Sequence, residues 1–474
     1  MTSLSTPTGH EYDPSRVGEQ LRASIDAVFP RIVEQLSSLV AIQGIAWEAF
    51  DSHELDRSAD AVAELIRRTG IDDVRVLRVD NDGTPGGPAV VARLKAAAGK
   101  PTVLLYAHHD VQPPGDAALW ETEPFVATER NGRLYGRGTA DDKAGIMAHI
   151  GAYGALADVL GDAFGVGLTL FIEGEEEAGS PTFRSFLEAY RGDLEADVIV
   201  VADSSNWKVG VPALTTSLRG LVDGTIEVQV LDHAVHSGMF GGPVLDAPTL
   251  LARLIATLHD DAGDVAIEGL AGGDHASVNY DEQDYRADAS VLDGVELAGT
   301  GSIASRLWHK PALSIIGMDI PRVALSSNTL LPRARAKFSL RLAPGQDPQA
   351  AMEAIRRHLE SHAPFGARVT FTPGETGSPF QTDTSEPASR MALAALEEAW
   401  GVPPVEAGMG GSIPFIADLT ELFPAAQILI TGVEDPDSRA HSANESLHLE
   451  EFKKAVLAEA ILLARLNVEG LASR

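Results

Sequence analysis

The chain contains no cysteine, which excludes a disulfide framework and any thiolate metal site. A bound metal must therefore sit on histidine and carboxylate side chains. Positive charge is scarce: 37 Lys+Arg stand against 68 Asp+Glu, a formal net charge of −31. Nucleic acid and anionic membranes both need a cationic surface, so neither is expected as a partner. No stretch approaches the roughly 20 consecutive apolar residues of a membrane helix. The opening residues, Met1 to Arg16, lack the apolar core of a secretory signal. Disorder is excluded because 44% of the residues are hydrophobic. The expectation is a soluble cytoplasmic protein, and a length of 474 residues suggests two or three domains.

Residues 1–20 read as a loose arm. Leu21, Ile25, Val28, Ile32, Val33, Leu36 and Leu39 then recur at helical spacing, and a second helix over Ala59–Arg68 has Ser58 as its expected N-cap. Four short apolar runs follow, each stopping at a polar cluster. Val103–Ala107 meets His108-His109-Asp110, and Leu168–Ile172 meets Glu173 to Glu177. Val198–Ala202 meets Asp203, and Ile428–Ile430 precedes a loop with His441. Apolar runs without alternation predict strands buried on both faces, and the helical stretch from Ile146 to Leu160 between them gives the α/β pattern. Ligands of such sheets bind beyond the carboxyl ends of the strands.

The middle of the chain alternates apolar and polar residues around Ile226–Val230, Ala336–Leu342 and Val369–Phe371, with helical stretches near 246–259 and 348–362. Adding Ser314–Met318 as a strand gives the split βαβ, ferredoxin-like order. The predicted organisation is a mostly parallel α/β domain with helices on both faces, residues 1–214 and 377–474, carrying an inserted α+β domain over 215–376.

Most of the fourteen histidines need no special role. Placement distinguishes His108, Asp110, Asp141, Glu176, Glu177, Asp203 and His441, which fall just past predicted strands or at a helix start. Read singly they are helix caps and solvated loop charges, and Asp141 or Asp142 would suit a cap before a helix near Lys143. Read together they converge acids and imidazoles on one sheet edge. Such acids repel unless a cation neutralises them, and a metal centre is the simplest solution.

The segments Ala107–Pro113, Gly136–Lys143, Glu173–Ser180 and Ala440–Glu445 resemble the di-zinc metallopeptidases that include cytosolic nonspecific dipeptidase and carnosinase, relatives of aminoacylase and succinyl-diaminopimelate desuccinylase. So do Val235–Gly238 with Gly241-Gly242, Lys337–Leu342 and Gly410–Pro414. The resemblance implies that His108 and Asp203 are terminal ligands of one metal, Glu177 and His441 of the other, and that Asp141 bridges them. It makes Glu176 the general base and has Asp110 hold the His108 ring. His236 would reach across a homodimer to stabilise the oxyanion in the partner's site. Thr329, Arg341 and the Gly411-Ser412 loop would hold the substrate's carboxylate end. The inserted domain would be both lid and dimerisation surface. The implied cofactors are two divalent ions, Zn2+ first with Mn2+ or Co2+ as substitutes. The implied reaction is dipeptide hydrolysis by a metal-bridging hydroxide.

Some positions depart from the family pattern. His109 stands where Tyr or Asn is common and is expected at the rim. Asp142 replaces a common Asn and is expected to cap a helix or support a neighbour. Met409 replaces an acid, and the spacing from Thr329 to Arg341 is one residue short. Asp203, being Asp rather than Glu, favours a dipeptidase over the alternative, an N-acyl or N-succinyl amino-acid deacylase or carboxypeptidase on the same scaffold. A non-catalytic metal-binding protein and a metallophosphoesterase are further alternatives. The complete ligand set with Glu176 argues against the first, and the lack of clustered Arg and Lys beside the ligands argues against the second.

Overall fold

A computed structural model of the protein describes residues 14–81, 83–411 and 414–471. The chain divides into two compact units, one within 1–215, 382–405 and 418–474, the other comprising Thr216–Gln381 and Glu406–Ala417. Segment 406–417 thus goes with the second unit, not with the first as the sequence boundary has it. Backbone bonding explains this: Arg219 N donates to the Met409 carbonyl at 3.1 Å, and Thr216 Oγ1 to that of Ala407 at 3.1 Å.

The elements in chain order begin with α1 (Pro14–Val40) and α2 (Ser52–Arg67). Strands β1 (Asp73–Leu77), β2 (Ala89–Leu94) and β3 (Thr102–His108) follow, then α3 (Lys143–Leu160), β4 (Gly167–Glu173) and β5 (Val198–Val201). The second unit supplies β6 (Gly220–Gln229), α4 (Ala247–Ala256), β7 (Ala312–Asp319), β8 (Arg333–Leu342), α5 (Pro348–Ser361) and β9 (Arg368–Gly377). The chain returns to the first unit with α6 (Pro387–Trp400), β10 (Gln427–Ile430) and α7 (Leu449–Glu469).

Two expectations near the N-terminus are corrected. Helix α1 begins within the predicted arm, of which residues 1–13 lie outside the described residues. Helix α2 starts at Ser52 because Asp51 is its N-cap, accepting from His53 N at 3.0 Å. Ser58 is buried inside α2, where its hydroxyl donates to the His109 carbonyl at 3.1 Å.

In the first unit the strands run β1-β2-β4-β3-β5-β10. The outer pairs β1–β2 and β2–β4 are antiparallel, and the central pairs β4–β3, β3–β5 and β5–β10 are parallel. Both faces are covered, as the unbroken apolar runs require. Val103, Leu105 and Ala107 of β3 join the core made by α1, α3 and α7. Tyr106 and Phe171 turn to the opposite face and pack on Phe183, with ring centroids 6.0 and 5.7 Å away. Helix α3 is long and apolar enough to cross a membrane by composition, yet Ile146, Met147, Ile150 and Leu156 are buried in this core.

In the second unit β7-β8-β6-β9 form an antiparallel sheet. Alternate residues Val222, Ile226 and Val228 face Leu250, Leu254, Ile355 and Leu359 of α4 and α5. This is the ferredoxin-like arrangement. The segment between α4 and β7 is longer than the periodicity suggests and holds two short helices, Glu282–Asp288 and Ile303–Trp308.

Candidate metal centre

The parallel strands all end on one polar edge. Strand β3 ends at His108, β4 just before Glu176, and β5 just before Asp203; Asp141 stands ahead of α3, and His441 follows β10. At that edge His108, Asp141 and Asp203 each bring a ligand atom within 4.8 Å of the others, and Asp141, Glu177 and His441 do the same. Asp141 belongs to both trios. Its Oδ1 lies 3.1 Å from His108 Nε2, and its Oδ2 2.9 Å from His441 Nε2. One carboxylate therefore presents an oxygen to each side. His441 Nε2 is also 3.2 Å from Glu177 Oε2.

The surrounding chain holds each group from behind. His108 Nδ1 faces the Asp110 carbonyl at 3.1 Å and its Oδ1 at 3.4 Å. A ring nitrogen between two acceptors keeps the proton, which leaves Nε2 as the coordinating atom. The Asp110 carboxylate also accepts Glu176 N at 3.1 Å and Glu177 N at 3.0 Å, fixing the short 3-10 turn that carries both acids. Gln112 holds the Glu177 carboxylate through its backbone N at 3.0 Å and its Nε2 at 2.7 Å. Glu445 Oε1 accepts Ala140 N at 3.0 Å and Asp141 N at 3.2 Å, while its other oxygen accepts Gly138 N at 3.1 Å and meets Arg137. Gly432 lets the chain after β10 pass the Asp203 loop, since a Cβ there would fall 1.4 Å from the Ser204 carbonyl oxygen. His441 itself has φ 62°, a conformation a non-glycine residue holds only when its surroundings impose it.

The electrostatics ask for positive charge. Burial pushes Glu176 up to about 9, with Asp203, Glu177 and Asp110 adding to it against the pull of His108. Asp203 rises to about 6, again by burial first, with Asp141 and Glu177 reinforcing it. The hydrogen bonds to Asp141 and Glu177 raise His441 to about 11. Burial opposes ionisation of Asp141, but hydrogen bonds from His108 and His441 win and hold it below the usual carboxylate range. Three carboxylates and two imidazoles, converged and mutually repelling where unpaired, form a hard oxygen and nitrogen donor set that fits two divalent cations sharing Asp141.

One sequence expectation needs revision, and for Asp142 the structure selects the supporting role over the cap. His109 is fully buried rather than at the rim: its Nε2 donates to the Pro88 carbonyl at 2.7 Å, and burial lowers it to about 4, so it is a neutral packing group. Asp142 occupies the N-cap position of α3 without making a side-chain cap bond. Its Oδ2 accepts His108 N at 3.2 Å instead, and its Oδ1 lies over Gly145, where a Cβ would be 2.2 Å away.

Sequence reasoning missed Glu434. Burial and the neighbouring Asp141, Asp203 and Glu445 push its carboxyl well above the usual range. It lies just past β10 as Glu176 lies just past β4, so the same strand-end reasoning could have found it. Arg137 and Glu445 lay inside the quoted motifs, but nothing in the sequence alone pairs them.

The remaining expected site residues belong to the second unit. Val235–His236 pairs with Thr329–Leu330, His236 opposite Thr329. His236 is exposed, and its Nδ1 accepts Gly238 N at 3.1 Å, which leaves the proton of the neutral ring on Nε2. Thr329 Oγ1 is 2.8 Å from Ser327 Oγ. Arg341 is half-buried on β8 opposite Leu221 and Ala312. Gly411 is half-buried, and Ser412 lies outside the described residues.

Comparison with known proteins places this geometry. Residues 104–465 match peptidase family M20/M25/M40. The chain is 34% identical over 440 residues to a cysteinylglycine-S-conjugate dipeptidase of Corynebacterium striatum, covering 91% of this chain and 95% of that protein. It is 28% identical over 465 residues to the human Beta-Ala-His dipeptidase, covering 92% and 90%. The crystal structure of human carnosine dipeptidase 1 superposes with a TM-score of 0.71 at 26% identity, over 95% of this chain and 99% of that one. By sequence and fold alike, the chain belongs to peptidase family M20/M25/M40.

Proposed function

We propose that this protein is a di-metal dipeptidase. The observation that carries the reading is the pair of ligand trios sharing Asp141, with Glu176 beside them. His108 and Asp203 would hold one cation, Glu177 and His441 the other, with Asp141 between. Bound there, such a pair supplies an acidified water and a Lewis acid for the scissile carbonyl. Glu176 takes the proton of the attacking water and delivers it to the leaving amine. Asp110 keeps the His108 ring in the coordinating tautomer and aims the turn bearing Glu176. His236, with its proton on Nε2, donates to the developing oxyanion. Arg341, with Thr329 and the Gly411-Ser412 loop, holds the carboxylate end of the substrate. The acidic composition supports a cytoplasmic site of action.

A panel of dipeptides set beside N-acetyl and N-succinyl amino acids, assayed on metal-loaded and chelator-treated protein, tests the reading. Dipeptides are expected to turn over, chelation to abolish turnover, and Zn2+, Mn2+ or Co2+ to restore it. Faster cleavage of the acyl substrates would move the protein to the deacylase branch.

The homodimer belongs to the same proposal. Strand β7 is a sheet edge with no outer partner among the described residues, and Ile316, Met318 and Ile320 on it or beside it are exposed, as are Val323 and Leu325. A long apolar edge of this kind is a ready surface for a second copy. If His236 serves the partner's site, His236→Ala and Glu176→Gln proteins, each nearly inactive, will complement on subunit exchange. The statistical mixture should regain roughly a quarter of wild-type turnover, one working site in half of the dimers. A mixture no more active than its components would place His236 in its own subunit's site or outside the chemistry.

A further inference from the structure

The second unit holds a half-open pocket of about 330 Å³ with three cationic side chains on its wall, in a chain whose net charge is −31. Arg219, Arg306, Lys310 and His259 line it, against the single acid Asp264. That acid is already engaged: Lys310 Nζ lies 3.1 Å from its Oδ1, and Thr300 N donates to its Oδ2 at 3.0 Å. Lys310 is satisfied in turn by the Thr300 carbonyl at 2.7 Å. The two guanidiniums have no carboxylate partner among the described residues. Arg219 is 8% exposed; its Nε donates to the Gly410 carbonyl at 3.2 Å, while its Nη1 is buried with no hydrogen-bond partner. Arg306 donates through Nη1 to the Ala298 carbonyl at 2.9 Å, and its Nε is buried and unpartnered. Burial, reinforced by the nearby Arg341, lowers Arg219 to about 10. A guanidinium with a buried, unused donor is stable beside an anion, and its planar fork suits a carboxylate.

Apart from Tyr285, the rest of the wall is largely apolar, with Val265, Leu297, Ile303, Leu307 and Leu313. The space is about ten times the roughly 30 Å³ share of a water molecule and lies in the range of small-molecule pockets. A bare inorganic anion would leave most of that wall without a partner. We propose that the second unit carries a binding pocket for a small organic carboxylate with an aliphatic body, its head on Arg219 and Arg306 and its chain against the leucine and isoleucine wall. Arg341, Thr329 and Gly411, assigned above to the substrate's carboxylate end, do not line this pocket, so it is a separate site for an anion within the second unit.

The test is calorimetric titration of the intact, metal-loaded protein with 4-methylpentanoate, its neutral amide 4-methylpentanamide, and sulfate. The acid is expected to bind one per chain with a Kd below about 1 mM, and both the amide and sulfate at least about tenfold more weakly. Arg306→Gln should weaken the acid about tenfold, and Leu297→Trp, which fills the cavity without removing a charge, should do likewise. Circular dichroism confirms that each variant is folded. Glu177→Gln, which alters a metal-ligand trio, and Arg341→Gln, which removes the group proposed to hold the substrate's carboxylate end, should both leave the affinity unchanged. Binding lost in either of these but kept in Arg306→Gln would put the carboxylate at the metal centre or at the substrate's own site and overturn the proposal. Equal binding of the amide or of sulfate, or no binding of the acid at 10-fold the expected Kd, would overturn it as well.

Discussion

Glu176→Gln will lower kcat for dipeptides by roughly 10²–10⁴-fold, the range expected for losing a positioned general base, while two metals stay bound per chain. The reason lies in how the turn is built. The amides of Glu176 and Glu177 are both held by the Asp110 carboxylate, at 3.1 and 3.0 Å, so a change at the tip of one side chain leaves the turn in place. Adjacent residues then present their acids to different tasks. Glu177 is within 3.2 Å of His441 and is gripped by Gln112, as suits a ligand. Burial holds Glu176 well above the usual carboxylate range, up to about 9, with Asp203 and Glu177 adding to it. Divalent cations on those acids would reverse that repulsion and bring Glu176 back toward the range useful for accepting a proton at neutral pH. Glutamine has nearly the same shape and cannot accept the proton. Metal content measured by plasma emission, beside kcat and KM, separates the roles. A mutant that loses a metal along with its activity would make Glu176 a ligand rather than a base, and one that keeps most of kcat would exclude it from the proton transfers.

Strand ends explain why so much of the first unit was legible. The run Val103–Ala107 has no polar side chain to face water, so it had to be a strand covered on both sides, and His108 had to emerge at its end. The same reasoning located Glu176, Glu177 and Asp203, and the structure brings them to one edge. The β–α–β–β–α–β order of the second unit was legible because alternation survives where only one face is covered, as along Ile226 and Val228. What stayed hidden depends on partners distant in sequence. His109 was expected at the rim because nothing local says that the Pro88 carbonyl will meet its ring in the core. Ser58 looked like a cap, yet Asp51 holds the earlier amide and Ser58 is spent on the His109 carbonyl. Glu434 stands just past the end of a strand of four residues, as Asp203 does, but it was passed over for His441 further along the same loop. The Arg219 and Arg306 pocket depends on the segment between α4 and β7, whose mixed composition has no period to read.

The Glu445 carboxylate should prove as important to the site as a ligand, although it is a member of neither trio. It is fully buried, it meets the equally buried Arg137, and it accepts the amides of Gly138, Ala140 and Asp141. One side chain thus neutralises a buried cation and pins the loop that carries the shared ligand. Glu445→Ala is expected to cost roughly 3–5 kcal/mol, because Arg137 is left charged and unpaired in the interior. It should also weaken metal binding by about 10–100-fold, the usual effect of removing a group that orients a ligand. Urea unfolding and titration against a chelating indicator read the two effects separately. The double variant Arg137→Met with Glu445→Leu distinguishes their causes. Replacing a buried ion pair by packed apolar side chains can leave stability nearly unchanged, so much of the lost stability should return. Leucine cannot accept from the Asp141 amide, so the metal affinity should stay low. If metal affinity recovers together with stability, Glu445 acts only through the fold. If affinity stays low in a stable protein, the loop before α3 needs that carboxylate to hold Asp141 where both imidazoles meet it.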